Sequence, residues 1–176
     1  MSDFDTLIIG AGSAGLMCAS RLCFFSKKYS KTMRIAIIDS NSRVGKKLAI
    51  TGNGRCNVTN LDIDASFYNS DDSNVVNSVI SDFDVESSME FFSNELGLLL
   101  TSKGELVYPI TNKSSSVIDC FRFYLVDNAV QFILDSKVSK ISKCDSFFEV
   151  YTPTSKYSAD NVVIATGGCT YKNTGS

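Results

Sequence analysis

The chain has 176 residues, 44% of them apolar and 20% charged, enough for one globular domain with its own core, which excludes a disordered tail. A net charge of -2 with no Lys- or Arg-rich stripe argues against nucleic acid as a main partner, and no apolar run approaches the ~20 residues that cross a bilayer. Six cysteines stand singly without a CxxC pair and histidine is absent, so neither a zinc set nor a disulfide framework is expected.

In chain order, the apolar run 5–9 predicts a strand that ends at Gly10. Residues 14–26 follow with Leu16, Met17, Ala19, Ser20 and Cys23 at near-helical spacing. A second strand of the buried type is predicted over 34–39, so the chain opens β-α-β. The Ser/Asn/Asp-rich stretch up to Asp84 has the composition of loop and predicts little regular structure. Val85, Met89, Phe92 and Leu96 then fall on one helical stripe stopped by Gly97. Residues 98–101 and 105–108 flank Gly104 as a hairpin, and Ser114 or Ser115 is placed to cap a helix carrying Val117, Ile118, Phe121, Tyr124 and Leu125. Strands are predicted over 130–134, 138–141, 147–151 and 161–165. One α/β domain is the simplest count, with a possible inserted lobe over 60–127.

The motif Gly10-Ala11-Gly12-Ser13-Ala14-Gly15 stands where the first strand must turn into the first helix. A glycine at the first position permits the turn, one at the second lets a pyrophosphate approach the backbone, and one at the third lets helix and strand pack closely. Phosphates would then meet the free amides at 12–15 and the positive end of the helix dipole. Asp39 closes the second strand 24 residues after Gly15, near the roughly 20-residue spacing of a ribose-binding acid, and its charge disfavours a 2′-phosphate. A bare GxGxxG is weak evidence, and a solvated acid at a strand end is the plainer alternative for Asp39. The strand before the motif, the helix after it and the position of Asp39 together favour dinucleotide binding.

Three further blocks carry a family resemblance: Gly45-Lys46-Lys47-Leu48 with residues 51–60 (TGNGRCNVTN); 104–109 with Asn112-Lys113-Ser114-Ser115-Ser116-Val117; and 162–168 (VVIATGG) with Thr174-Gly175-Ser176. In order and spacing they resemble the HI0933-like (BaiN-like) NAD(P)/FAD-dependent oxidoreductases over nearly the whole chain. The resemblance implies a Rossmann-like FAD-binding fold, a central parallel sheet with helices and a β-meander, and FAD as cofactor. It implies cofactor contacts from Gly10, Gly12, Ser13, Ala14, Gly15, Asp39 and Ser40. Further contacts are implied from Lys46, Lys47, Gly54, Arg55, Cys56 and Asn57, from Thr166 and Gly167, and from the main chain of Val138 at the adenine. Glu105 and Lys172 depart from the family pattern, where a basic residue and a proline are usual. Relatives continue well past residue 176, so the chain resembles the N-terminal part of the family.

Solvated side chains are the plainer reading of Lys46, Lys47 and Arg55, and a packed thiol is the plainer reading of Cys56. No residue stands out as the catalytic acid or base. The expected function is hydride transfer through flavin with NAD(P)H or a small organic molecule, in the cytoplasm because residues 1–5 lack the pattern of a secretory leader. A truncated, non-catalytic dinucleotide-binding module is the alternative. Substrate and oligomeric state are not legible.

Overall fold

The computed structural model describes residues 2–168. The chain forms two compact units, residues 1–48 with 121–176, and residues 49–120.

The first unit is a six-stranded sheet ordered β6-β2-β1-β9-β8-β7. Strand β1 (Phe4–Ile9) lies between β2 (Ile35–Ile38) and β9 (Lys156–Ile164), parallel to both, with Leu7 opposite Ala36 and Val162. Strand β6 (Gln131–Ile133) runs parallel to β2 at the edge, and β7 (Lys140–Lys143) and β8 (Phe148–Tyr151) join β9 as an antiparallel meander. Parallel neighbours need a crossover, and α1 (Ser13–Lys28) supplies the one from β1 to β2. The continuous apolar sequences of β1 and β2 follow from burial on both faces. On one face Leu7, Ile9, Ala36 and Ile38 pack with Phe4, Ile133, Val150 and Ala159. On α1, Gly15, Leu16, Ala19, Ser20 and Cys23 are buried on one stripe, and the Ser20 hydroxyl is satisfied by donating to Leu16 O at 2.9 Å. Each fully buried Leu or Ile contributes roughly 1.5–3 kcal/mol.

Strand β9 starts five residues before the predicted 161. Its first half alternates, with Tyr157 and Ala159 inward and Lys156, Ser158 and Asp160 outward, and only the stretch beside β1 reads as an apolar run. Strand β7 begins at Lys140 instead of 138, so Val138 precedes the strand and packs half-buried against the core.

In the second unit β3 (Thr59–Asn60), β5 (Leu106–Pro109) and β4 (Leu100–Lys103) form an antiparallel sheet in that order. Gly104, at φ 59°, turns the β4–β5 hairpin where it was predicted. The stretch expected to lack regular structure contains α2 (Ser73–Asp82), started by the Asp72 carboxylate accepting from Asn74 N at 2.9 Å. Its Val75/Val79 and Val76/Ile80 pairs have helical spacing, hidden in composition by the Ser and Asn between them. Next, α3 (Val85–Glu90) is capped by Asp84 and widens into a π-helical turn over Phe91–Glu95. The last helix, α4 (Ser114–Asp127), spans the division between the units. Phe121, Tyr124 and Leu125 are buried in its second half. No helix among the described residues is long and apolar enough to cross a membrane.

Candidate functional site

The glycine turn sits at the C-terminal end of β1. Gly10 has φ 112°, and a Cβ there would lie 2.3 Å from Ala165 O, so the backbone after β9 closes directly on the turn. At Gly15 a Cβ would stand 1.9 Å from Gly10 O, because the first turn of α1 lies against the end of β1. Packing alone therefore demands glycine at both positions. Gly12 differs: its φ is -81°, and a Cβ there would meet nothing within 4 Å. Neither backbone conformation nor a neighbour among the described residues explains that glycine.

Gly12 is the N-cap of α1, with no side-chain cap and no acidic residue in the first turn. The opening amides of a helix have no partner within it, and Ser13 and Ala14 are exposed. An anion is the complement of such a terminus, which gathers amide donors and the positive end of the dipole.

Asp39 lies at the end of β2, half-buried, and its carboxylate faces the turn. Oδ2 accepts from Ala11 N at 2.6 Å, and Oδ1 accepts from both Asn41 N and Asn41 Nδ2 at 2.8 Å. The main chain of Asp39 is held as well, donating to Ile133 O at 3.0 Å and accepting from Ser136 N at 2.9 Å. Ser40 is exposed beside it. A carboxylate has about four acceptor positions, so three internal bonds leave capacity for a hydroxyl.

The segment after β2 returns to the turn, with Gly45 N donating to Ala11 O at 2.8 Å. Lys46 Nζ donates to Asn41 Oδ1 at 2.9 Å, which places its charge on the Asp39 side. Lys47 Nζ lies 3.1 Å from where a Gly167 Cβ would be, and Ala165 N donates to Ile9 O at 2.8 Å. Residues 10–15, 39–41, 45–47 and 165–167 thus converge at one end of the parallel strands. In open α/β sheets ligands bind at this carboxyl end.

Gly54, Arg55, Cys56 and Asn57 belong to the second unit. Gly52, Asn53, Gly54 and Cys56 all take positive φ, and the loop closes on itself: Arg55 N donates to Gly52 O, and Cys56 N to Thr51 O, each at 3.2 Å. These two amides are engaged within the loop. The Arg55 guanidinium lies over the Tyr108 ring, 5.4 Å from its centroid, and its Nε donates to Gly52 O. Asn57 Nδ2 donates to Thr59 O and Val107 O, tying the loop to the small sheet. Cys56 is buried, and burial pushes its thiol pKa up against the opposing pull of a hydrogen bond with Thr51. That environment is one of a packed side chain.

Val138 follows Ser136 by two residues, just past the segment that bonds Asp39. Cys169, Lys172 and the Thr174-Gly175-Ser176 block lie outside the described residues. Asn41 was missed by the sequence reading, although an Asn two residues after an Asp at a strand end is a recognisable turn signal.

A parallel sheet with a glycine turn and crossover helix at its first strand is a Rossmann-type domain. The chain matches the HI0933-like protein Rossmann domain over residues 4–176 and belongs to that family. It is 30% identical over 169 residues to a 3-dehydro-bile acid delta(4,6)-reductase of Clostridium scindens, covering 96% of this chain and 40% of the relative. It is 27% identical over 178 residues to a ribosomal RNA dihydrouridine synthase of Escherichia coli, covering 100% of this chain and 42% of the relative. The chain thus spans well under half the length of these curated relatives. Among solved structures it resembles glycine oxidase from Geobacillus kaustophilus (TM-score 0.61, 14% identity, 95% of this chain and 56% of the other). It also resembles THI4 from Thermovibrio ammonificans (TM-score 0.60, 12% identity, 93% and 57%). At these identities the structural likeness establishes the fold.

Proposed function

We propose that the chain forms the FAD-binding core of a flavoprotein oxidoreductase and seats the ADP half of the dinucleotide on the first turn of α1. The observation that carries this reading is Gly12, a glycine that no contact among the described residues requires, at a helix terminus of accessible amides with Asp39 alongside. In this arrangement the amides of Gly12, Ser13, Ala14 and Gly15 bind the pyrophosphate, and Asp39 with Ser40 holds the ribose. Lys47, Thr166 and Gly167 line the phosphate side, Lys46 adds positive charge beside Asp39, and the Val138 main chain meets the adenine. The loop from Gly54 to Asn57 is assigned to the flavin half on family resemblance.

When bound, the flavin accepts and donates hydride, and the protein supplies position and electrostatics. NADH, NADPH or a small organic molecule is the proposed partner, in the cytoplasm. The relatives named above are a bile acid reductase and a ribosomal RNA dihydrouridine synthase. The net charge of -2 on this chain supports a small molecule over RNA.

The test is the visible absorption spectrum of the purified chain with and without added FAD, followed by anaerobic addition of NADH or NADPH. A flavin spectrum bleached by a nicotinamide supports the reading in full. FAD binding without bleaching reduces it to a dinucleotide-binding module, and failure to take up FAD rejects it.

A further inference from the structure

Asp39 alone does not fix where its carboxylate points. A side chain at a strand end has a choice of rotamers, and an acid half-open to water gains little by keeping any one of them. Here a neighbour removes the choice. Asn41 donates to the same oxygen, Oδ1, from its main-chain N and its side-chain Nδ2, both at 2.8 Å. The fork holds one oxygen and turns the other, Oδ2, onto Ala11 N at 2.6 Å.

Asn41 is itself held at both ends. Its main-chain carbonyl accepts from Asp135 N at 3.1 Å, and its side-chain Oδ1 accepts from Lys46 Nζ at 2.9 Å. With Oδ1 facing an ammonium, the amide group is oriented so that Nδ2 points to Asp39. The Lys46 charge is thereby directed at Asn41.

We infer that Asn41 is a positioning residue for nucleotide recognition: it sets the Asp39 carboxylate in the orientation that reads the ribose hydroxyls of an adenine dinucleotide. This rests on the proposed seating of the ADP moiety at the α1 terminus. Asn41 binds no phosphate in this scheme, so removing its side chain weakens only that part of the affinity that passes through the ribose.

The test uses the 176-residue chain and two probes, ADP and 2′,3′-dideoxy-ADP, with binding measured calorimetrically for wild type and Asn41→Ala. The expected result is an affinity for ADP reduced about tenfold by the substitution and an affinity for the dideoxy analogue changed less than about twofold, the size of one charge-assisted hydrogen bond. Equal losses for both probes, or a loss for neither, overturn the inference while ADP binding by wild type leaves the proposed function standing. If wild type binds neither ADP nor FAD, the proposed function fails and takes the inference with it. Thermal melting without ligand checks folding of the variant, and Asn41→Ser, which keeps a short polar side chain, is used with the same expected pattern if Asn41→Ala does not fold.

Discussion

Oδ2 of Asp39 accepts a 2.6 Å hydrogen bond from the amide of Ala11, joining the end of β2 to the glycine turn that follows β1. Asp39 therefore has two tasks, fastening the turn and offering a carboxylate beside the first turn of α1. The two tasks separate in different measurements, and so do the roles of the glycines next to it.

Asp39→Asn keeps the shape and removes the charge. One carboxylate oxygen becomes an NH2 group that faces a donor, so the side chain keeps either the bond from Ala11 N or the pair from Asn41 and not both, and the ribose loses an anionic acceptor. The expected outcome is FAD affinity reduced ten- to a hundredfold, by fluorescence titration, with a stability loss of about 1–2 kcal/mol in urea unfolding.

Gly12→Ala and Gly15→Ala are expected to fail in opposite ways. A methyl group at Gly12 enters open space at an ordinary φ, so stability falls by no more than about 1 kcal/mol, the cost of alanine at an N-cap, while FAD affinity falls at least tenfold because the methyl occupies the approach of the phosphates. At Gly15 the methyl would lie 1.9 Å from a backbone oxygen, and the helix must move off the strand, costing on the order of 1–3 kcal/mol or more. Paired urea titrations and FAD titrations read both effects. A Gly12→Ala protein that binds FAD as wild type does would remove the main support for the proposed site.

These differences also show how far the sequence reading reached. Strands β1 and β2, helix α1 and the place of Asp39 were legible because Leu7, Ile8, Ile37 and Ile38 form uninterrupted apolar runs that end at a glycine turn and an acid. Helix α2 was not, since its Val75/Val79 stripe is embedded in Ser, Asn and Asp and its start depends on a local cap at Asp72. The polar half of β9 was hidden because alternation over Lys156–Asp160 reads as loop until β8 is known to lie beside it. Within the site, glycine positions and the acid follow from short-range spacing. The hold of Ser136 on Asp39 does not, because Ser136 reaches Asp39 across 97 residues of chain and only the fold brings them together.

Cys56 is expected to be inert. Its thiol is buried and held above its ordinary pKa by that burial, so little thiolate forms at neutral pH and attack on a disulfide reagent is slow. Reaction of the folded chain with a chromogenic disulfide reagent should leave Cys56 unmodified on the timescale on which the half-buried Cys144 reacts, as read by peptide mass mapping. Cys56→Ser should leave FAD affinity within about twofold of wild type if the thiol only packs. Rapid modification of Cys56, or loss of flavin on its replacement, would reopen a redox role.

The amino end of β1 carries a pH-dependent tie. Asp5 donates no proton here; its carboxylate accepts from Arg34 N and from Arg34 Nη2, each at 2.6 Å, and these bonds hold its pKa below the usual carboxylate value. Asp3 is lowered too, by its bonds from the Ser158 hydroxyl and main-chain N. One acid fastens β1 to the start of β2, the other to β9. A carboxyl group whose pKa is depressed on folding stabilises the fold above its unfolded pKa and loses that contribution as pH falls through the lower, folded value. Wild type should therefore lose thermal stability as pH drops from about 5 towards 2. Asp5→Asn should melt below wild type at pH 7, and the difference should shrink over the same acid range as the wild-type carboxylate is itself protonated. A gap that stays constant from neutral to acid pH would show that Asp5 acts through packing and not through its charge.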